Sequence, residues 1–390
     1  MSELRANDQH SGNRSTDQWK SVPFEQAIEN VSYTNKIQRS DFLSEGAYPI
    51  VSQEEGLVNG YWNQPTDVFR PTRPLTVFGD HTQTLKYVDF DFVLGADGIK
   101  ILQPKSFLLS KFFHYQLQGF TLKSLGYARH YRLLKEKQVV YPSLPEQERI
   151  VAILDKAFEE INKAKANAEQ SMAGARLLFD NQLREQFDTQ WRSKKIVSLT
   201  ELATDIVDGD HLPPPKSSTG VPFVTISNVD KRSHQIDFTD TYFVSREYFD
   251  RLKSNKKPRP GDLLYTVTGS FGIPVKIQDD REFCFQRHIG LIRPKSNVST
   301  SWLYYLVRSP QLVEQANEGA TGTAQKTVSL SVLRRFRVPQ LSLQEQISMA
   351  SDLDTLLLET ERLEATQFNK LAALDALKQS ILYQAFSGNL

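Results

Sequence analysis

The strongest constraint on the fold is a motif that the sequence contains twice. Residues 142–150 read PSLPEQERI and residues 339–347 read PQLSLQEQI, so both match Pro-x-Leu-x-x-Gln-Glu-x-Ile at an offset of 197. Each motif precedes a long proline-free stretch with apolar residues at helical spacing. Because an internal repeat defines the structural unit of a chain, we expect two copies of a globular domain followed by a long helix.

The globular segments predict an α+β fold with a pseudo-two-fold repeat. Residues 31–105 are rich in aromatic and β-branched residues and are interrupted by glycine-containing turns, which is typical of short strands and loops. A short helix is predicted over 107–117, with Phe112, Phe113 and Leu117 on its buried face. The predicted organisation is a disordered tail over 1–18, a first domain over 19–142, a helix over 143–188, a second domain over 189–340 and a helix over 341–390.

Each long helix carries one apolar stripe. Alternating steps of three and four residues form the seam of a coiled coil. A helix of this length, roughly 65 Å at 1.5 Å per residue, is too long to be buried in one small domain. The simplest interpretation is an antiparallel pair within the chain, although the pattern leaves parallel pairing or pairing with another chain open. The stripe comprises Ile150, Leu154, Ala157, Ile161, Ala164, Ala168, Met172, Ala175, Leu178, Leu183 and Phe187 in the first helix and Leu353, Leu356, Leu363, Leu371, Leu374 and Ile381 in the second.

Composition restricts the class of protein. The net charge of +1 combines a surplus of seven acidic groups in the two helical segments with a surplus of eight basic groups in the regions before them. A basic globular segment suits a polyanionic partner, although on net charge alone solvated surface charge is the simpler interpretation. The single cysteine, Cys284, fits a reducing cytoplasm and is expected to be a small buried apolar residue. No stretch is long and apolar enough for a membrane span.

Motifs that carry catalytic chemistry are missing from the sequence. There is no phosphate-binding Gly-x-x-x-x-Gly-Lys loop, no Gly-x-Gly-x-x-Gly and no zinc-type pairing of Cys or His. Gly-Asp-His occurs at 79–81 and 209–211, but neither copy adjoins a nucleophile or metal cluster, so each is interpreted as a turn whose Asp caps local backbone. We expect neither a catalytic site nor a metal site in this chain.

Polar, basic loops are the remaining candidates for function. GFTLKSLGYARHY at 119–131 and GATGTAQKT at 319–327 occupy matching places ahead of the two helices. Lys and Arg can bind phosphates, while Gln, Thr and Arg can read base edges, although ordinary surface loops have a similar composition. The candidate DNA-binding residues are Thr82, Gln83, Lys86, Lys123, Tyr127, Arg129, His130, Lys216, Asn228, Lys231, Thr268, Ser270, Arg287, Thr321, Thr323, Gln325 and Lys326.

In these features the chain resembles the specificity (S) subunit of type I restriction-modification enzymes. The resemblance covers residues 19–390 and rests on the two helix-start motifs, GDHTQTLKYVDFDFVLGADGIKIL at 79–102, PGDLL at 260–264 and GTAQK at 322–326. It implies two target-recognition domains, each of which reads one half of a split asymmetric DNA site, and a helix pair that sets the gap. A stand-alone two-domain DNA-binding regulator and a coiled-coil scaffold without nucleic acid are the alternatives.

The resemblance also implies partners and cofactors. Two methyltransferase (M) subunits, which carry S-adenosylmethionine and adenine-N6 chemistry, dock on the helices; motor-nuclease (R) subunits, which use ATP and Mg, join for cleavage. In the 197-residue alignment Pro145 faces Ser342, so the helix caps formed by Ser143 with Glu146 and by Ser342 with Glu345 are not expected to be equivalent. The expected spacer and docking residues are Gln147, Ile150, Leu154, Ile161, Gln344, Ile347, Leu353 and Leu374.

Overall fold

The computed structural model describes residues 19–126, 128–211, 214–322 and 325–390, so the predicted tail over 1–18 lies outside the described residues. The chain divides into two compact units. The first contains the described residues up to Ala168 together with Phe368–Leu390, and the second contains Glu169–Gln367. Each unit therefore includes a segment of both long helices.

The first unit is built from short strands and a helix that precedes the long one. Its strands are β1 Lys20–Pro23, β2 Lys36–Ile37, β3 Tyr48–Val51, β4 Gly60–Trp62, β5 Val68–Phe69, β6 Leu75–Gly79, β7 Leu85–Val88, β8 Phe92–Gly95, β9 Ile99–Leu102 and β10 Gln138–Tyr141. Its helices are α1 Phe24–Ala27, α2 Ser110–Gly119, α3 Tyr131–Lys135, the first part of α4 Leu144–Ser193 and the last part of α10 Leu343–Phe386. The sheets have the orders β7-β6-β9, β2-β8-β3-β4 with β5 also on β8, and β1-β10.

The second unit follows a similar plan with more helix. Its strands are β11 Ile196–Ser198, β12 Ala203–Asp208, β13 Val221–Val224, β14 Tyr242–Val244, β15 Leu263–Thr266, β16 Pro274–Lys276, β17 Cys284–Phe285, β18 Ile289–Pro294 and β19 Arg337–Pro339. Its helices are α5 Leu199–Leu202, α6 Arg246–Arg251, α7 Thr300–Arg308, α8 Pro310–Gly319, α9 Leu330–Arg334 and part of α10 Leu343–Phe386. The sheets have the orders β12-β18-β15-β16, β14-β13-β17 and β11-β19.

The predicted α+β architecture with two long helices is confirmed. The predicted short helix is α2, which begins at Ser110 and buries Phe112, Phe113 and Leu117 as expected. It packs against the start of α4 in a core that includes Leu154 and Phe158. The helix α4 continues to Ser193, five residues beyond the predicted end at 188.

Within each unit the two long helices run antiparallel, as predicted. In the first unit Arg149 donates to the carbonyl oxygen of Leu390, and Lys165 forms an ion pair with Asp375. In the second unit Arg176 pairs with Glu364 and Lys194 pairs with Glu345. In both series the number on α10 falls as the number on α4 rises, which excludes parallel pairing.

Two assignments to the apolar stripe were wrong. Leu178 is 60% exposed, whereas its neighbour Phe179 is 3% exposed. The buried positions continue from Phe179 to Leu183 and Phe187 in steps of four, so a residue one place earlier faces away from the seam. Leu363 on α10 is 37% exposed for the same reason, because the adjacent Glu364 occupies the inward position beside α4.

The start of each long helix is held by a buried glutamine. The side-chain oxygen of Gln147 accepts from the N–H of Leu109 over 2.8 Å, and its amide nitrogen donates to the carbonyl oxygens of Phe107 and Pro142. These bonds join the helix start to the segment that leads into α2. Gln147 is fully buried, so its amide is not available to a partner. We call this set of three hydrogen bonds the glutamine joint.

The second unit makes the same joint with Gln346, not with Gln344. The oxygen of Gln346 accepts from the N–H of Ser299 over 2.8 Å, and its nitrogen donates to the carbonyl oxygens of Leu341 and Asn297. Gln346 is 1% exposed, whereas Gln344 is exposed. The structural offset at the helix start is therefore 199 residues, and the alignment at 197 was wrong by two positions.

This correction makes the serine and glutamate positions of the two helix starts equivalent. Ser342 and Glu345 form a capping box, in which the glutamate accepts from the Ser342 N–H over 2.8 Å. At an offset of 199 these residues correspond to Ser143 and Glu146. The expectation that the caps differ rested on the wrong alignment.

Two further sequence expectations concern Cys284 and membrane-spanning segments. Cys284 is 2% exposed on β17, and burial raises the pKa of its thiol to about 12, as suits a small core residue. In the part of the chain that the structure describes, none of the helices combines the length and apolar character needed to cross a membrane.

Candidate nucleic-acid interface

In the first unit the loop 119–131 is attached to the turn that follows β6. The N–H of His130 donates to the carbonyl oxygen of Asp80 over 2.8 Å, and the N–H of Tyr131 donates to the Asp80 carboxylate over 2.7 Å. The Nε2 atom of His130 accepts from the N–H of Leu125, so Nδ1 carries the proton and donates to the Asp80 carbonyl oxygen. The first Gly-Asp-His sequence is thus a structural turn, as predicted, but the backbone that its aspartate caps lies 51 residues further along the chain and is not local.

The second unit attaches its loop 319–327 to the end of β15 in a comparable way. The N–H of Val328 donates to the carbonyl oxygen of Val267 over 2.8 Å, and the N–H of Gly269 donates to the carbonyl oxygen of Lys326 over 2.9 Å. Gly269 has a φ of +69°, a conformation that disfavours residues with a side chain. The glycine turn therefore allows the two loops to meet.

The two attachments are equivalent in detail. The residue after β6, Asp80, donates its N–H to the carbonyl oxygen of Gly98 and accepts from the loop that follows α2. The residue after β15, Val267, donates its N–H to the carbonyl oxygen of His288 and accepts from the loop that follows α8. Each unit therefore presents a polar loop at the end of a central strand, beside the turn before β9 or β18.

The structure brings together many of the predicted residues at these two places. Thr82 and Arg129 are exposed around the first attachment and Gln83 is half-buried, with a φ of +60°. Lys123 is exposed on the same loop. The exposed residues at the second attachment are Ser270, Thr321, Gln325 and Lys326. Tyr127 and Thr323 lie outside the described residues.

A group of cations surrounds the first attachment and was partly missed by sequence reasoning. Partial burial lowers the pKa of Lys36, and the positive charges of Lys100 and Arg129 lower it further. The amine of Lys36 lies 5.0 Å from the ring centre of Tyr33, and that of Lys100 lies 5.4 Å from the ring centre of Tyr131. Cations and aromatic faces in one place suit a phosphate-bearing partner.

The missed residues differ in how well the sequence could have identified them. Lys100 interrupts the buried pair Ile99 and Ile101 in β9, so alternation alone places it on the outer face. Lys36 reaches the group through the parallel pairing of β2 with β8. Because that pairing joins distant parts of the sequence, no local pattern reveals it.

The second unit has a further basic site near its Gly-Asp-His turn. The N–H of Arg287 donates to the carbonyl oxygen of Asp210 over 3.2 Å. The amine of Lys256 lies 3.6 Å from the Asp210 carboxylate. Gly209 packs so closely on Phe285 that a side chain there would lie 1.9 Å from its carbonyl oxygen. Arg287 is exposed, which is compatible with its predicted role.

Four predicted DNA contacts are buried and do not face solvent. Lys86 is 7% exposed because its amine donates to Asn59 over 2.7 Å inside the first unit. His130 is 1% exposed because it holds the loop 119–131, as described above. Both side chains form hydrogen bonds inside the first unit, and their prediction as direct DNA contacts was wrong.

The other two buried residues lie in the second unit. The side chain of Asn228 is 6% exposed because it accepts from the N–H of Thr225 and donates to the carbonyl oxygen of Asp240. Thr268 is 6% exposed because it pairs with Thr327 where the two loops meet. These predictions were also wrong, since short polar side chains in turns commonly bond to nearby backbone.

Two exposed lysines lie away from the loop attachments. The amine of Lys216 lies 5.0 Å from the ring centre of Tyr242. Lys231 lines a cavity of about 380 Å³ beside the long helices, together with Arg176, Arg232 and Arg308. Among the described residues, no hydrogen bond or ion pair joins either lysine to the loop sites.

The predicted spacer and docking residues divide into two sets. Six form the seam or the joints of the helix pair: Gln147, Ile150, Leu154, Ile161 and Leu353 are buried, and Leu374 is half-buried. Gln344 and Ile347 are exposed, the latter by 48%. The first set stabilises the pair from within, so only the second set is available to a partner.

Comparison with known proteins finds similarity to the specificity subunits of type I restriction enzymes. The family model for the type I restriction modification DNA specificity domain matches residues 191–373. The chain is 22% identical over 368 residues to the type I restriction enzyme EcoBI specificity subunit of Escherichia coli, covering 85% of this chain and 75% of the relative. It is 25% identical over 271 residues to the EcoKI specificity subunit of Escherichia coli strain K12, covering 64% and 57%.

Solved structures share the fold. A chain from a study of complex assembly and conformational transition of the type I R-M system superposes with a TM-score of 0.72 at 18% identity, covering 95% of this chain and 98% of that chain. The HsdS subunit from Thermoanaerobacter tengcongensis superposes with a TM-score of 0.52 at 19% identity, covering 95% and 97%. With two loop-bearing units and two long helices in place, the chain is similar over most of its length to the specificity subunits of type I restriction enzymes, and residues 191–373 match their DNA specificity domain.

Proposed function

We propose that this chain reads a split, asymmetric double-stranded DNA site, with one half read by each target-recognition domain. The observation that carries the proposal is the repeated attachment of a polar loop to the end of a central strand, at Asp80 in one unit and at Val267 in the other. The loop sequences differ between the units, so the same scaffold offers different side chains to DNA. Different side chains on equivalent scaffolds favour two unlike half-sites.

The long helices are proposed to set the gap between the half-sites and to dock two methyltransferase subunits. Large apolar side chains outside the seam support the docking role. Leu177 on α4 is 61% exposed, and Leu358 and Phe368 on α10 are 67% and 61% exposed. Exposed apolar groups of this size on a helix pair are typical of protein interfaces.

The chemistry is proposed to belong to the partners. The methyltransferase subunits would supply S-adenosylmethionine and adenine-N6 transfer, and motor-nuclease subunits would supply ATP and Mg-dependent cleavage. The role of this chain would be to bind and orient DNA. Its exposed cations can contact phosphates, while Gln325, Thr321 and Arg129 can reach base edges.

Co-expression with a cognate methyltransferase subunit tests this function. We expect a stable complex that methylates DNA at a split motif, with affinity that falls steeply as salt rises because phosphate contacts release counterions. A chain that forms no complex, or a complex that methylates one continuous motif, would contradict the proposal.

A further inference from the structure

Each recognition domain is joined to its long helix by a tyrosine–carboxylate hydrogen bond. In the first unit the hydroxyl of Tyr115 on α2 donates to the carboxylate of Asp155 on α4. The amine of Lys111 donates to the other oxygen of that carboxylate over 2.8 Å. Tyr115 is 8% exposed, whereas the side chains of Asp155 and Lys111 are 37% and 42% exposed, so the bond lies at the edge of the core.

The second unit repeats the bond. The hydroxyl of Tyr305 on α7 donates to the carboxylate of Asp354 on α10 over 2.6 Å, and Tyr305 is fully buried. Here the nearby cation comes from another element, because Lys276 on β16 lies 3.6 Å from the carboxylate. The tyrosine–aspartate pair is therefore repeated, whereas the position of the lysine is not.

Both bonds lie at the same distance along the helix from the glutamine joint. Asp155 follows Gln147 by eight residues, and Asp354 follows Gln346 by eight residues. Eight residues correspond to about 12 Å of helix. The apolar packing of α2 on α4 is not directional, whereas two hydrogen-bonded joints separated along the axis fix the direction of the domain.

We propose that Tyr115 with Asp155 and Tyr305 with Asp354 are positioning pairs that determine the spacer length which the subunit accepts between its two half-sites. This inference rests on the proposed function. One base pair more or less moves a half-site by about 3.4 Å along the duplex. A domain held at both joints cannot follow that movement, whereas a domain held at the glutamine joint alone can tilt.

The chemistry of the pair fits a positioning role. Burial raises the pKa of both tyrosines well above its ordinary value, and the bonded aspartates raise it further, so both hydroxyls stay protonated and donate. The ring of Tyr115 packs edge-on against Phe158 with centres 5.2 Å apart. Phenylalanine at position 115 would keep this packing and would remove only the hydroxyl.

The test uses the full chain in complex with its methyltransferase subunits. Initial methylation rates are measured on duplexes that carry both half-sites with the native spacer or a spacer one base pair shorter or longer. For Tyr115→Phe and Tyr305→Phe we expect the rate on altered spacers, relative to the native spacer, to rise at least about fivefold, because a hydrogen bond to a charged group is lost. Base preference within each half should not change.

Two further variants separate positioning from general damage. Tyr265→Phe is the matched control, since Tyr265 is fully buried and its hydroxyl has no hydrogen-bond partner among the described residues; its spacer preference should equal that of the wild type. Asp155→Asn keeps an oxygen that accepts from Tyr115 and should also keep the wild-type preference, whereas Asp155→Ala should relax it.

The possible outcomes distinguish this inference from the function on which it rests. If the tyrosine variants slow methylation equally on all spacers, or change base preference instead, the positioning role is refuted. If the wild-type complex itself does not discriminate between spacers, the proposed split-site function fails, and the inference fails with it.

Discussion

Gln147 and Gln346 lie 199 residues apart and make the same three hydrogen bonds, each in its own unit. The carbonyl and amide of one side chain close the joint between a helix start and the segment before α2 or α7. A buried amide with all partners satisfied specifies geometry strongly, since a misplaced helix would leave these groups unpaired.

Replacement of Gln346 by alanine should destabilise the second unit. The N–H of Ser299 and the carbonyl oxygen of Leu341 would lose their partner in a buried place, which costs about 1–3 kcal/mol. Denaturant unfolding of the purified complex measures the change. Gln344→Ala is the control, because Gln344 is exposed and should change stability by less than about 0.5 kcal/mol. If Gln344→Ala lowered the stability more than Gln346→Ala does, the 197-residue alignment would be supported instead.

Asp262, directly before β15, and Arg293 on β18 form a buried pair. Two hydrogen bonds of 2.9 and 2.7 Å join the guanidinium to the carboxylate, and the residues are 1% and 5% exposed. Asp262→Ala should cost about 3–5 kcal/mol, because it leaves a buried charge without its principal partner. The exposed pair of Arg246 with Glu282 provides the contrast, and Glu282→Ala should barely shift the unfolding midpoint. Equal shifts for the two variants would show that burial does not govern their effects.

Arg129 and Lys326 are expected to contact DNA phosphates or bases in opposite halves of the site. Each change to alanine should weaken binding and reduce the slope of log affinity against log salt by about 1 if the contact is to phosphate. Fluorescence titration of the complex at several salt concentrations gives the slope. Lys253→Ala, an exposed lysine on another loop, is the control. An unchanged affinity for both loop variants would remove these loops from the interface.

Lys86 should make stability depend on pH. Burial lowers the pKa of Lys86 to about 8, so between pH 8 and its ordinary value the folded chain binds fewer protons than the unfolded chain. Lys86→Met has no titrating group at this position. The free energy of unfolding of the wild type, minus that of Lys86→Met, should therefore increase with pH across this window. Unfolding of both proteins from pH 7 to pH 10 measures the difference. A difference that stays constant over this range would contradict the burial of a charged amine.

The sequence predicted the larger features well for a physical reason. Helical periodicity and the repeated motif are local signals, so the α+β class, α2 and the antiparallel helices could be predicted before the structure. The two-residue error arose because Gln344 and Gln346 are near neighbours in one motif. Only the position of the loop before α7, outside that motif, decides which amide is buried. Lys86 and Lys36 are similar cases, since their partners come from other elements of the chain, whereas Asn228 is buried by bonds to the backbone close to it in sequence.

The most direct test of the central claim is methylome sequencing of a strain in which residues 19–142 are replaced by the first domain of another specificity subunit. The native chain should produce one split motif with two unlike halves, and the exchange should change one half while the other half and the spacer stay the same. A change in both halves, or a motif without a spacer, would contradict the assignment of one half-site to each recognition domain.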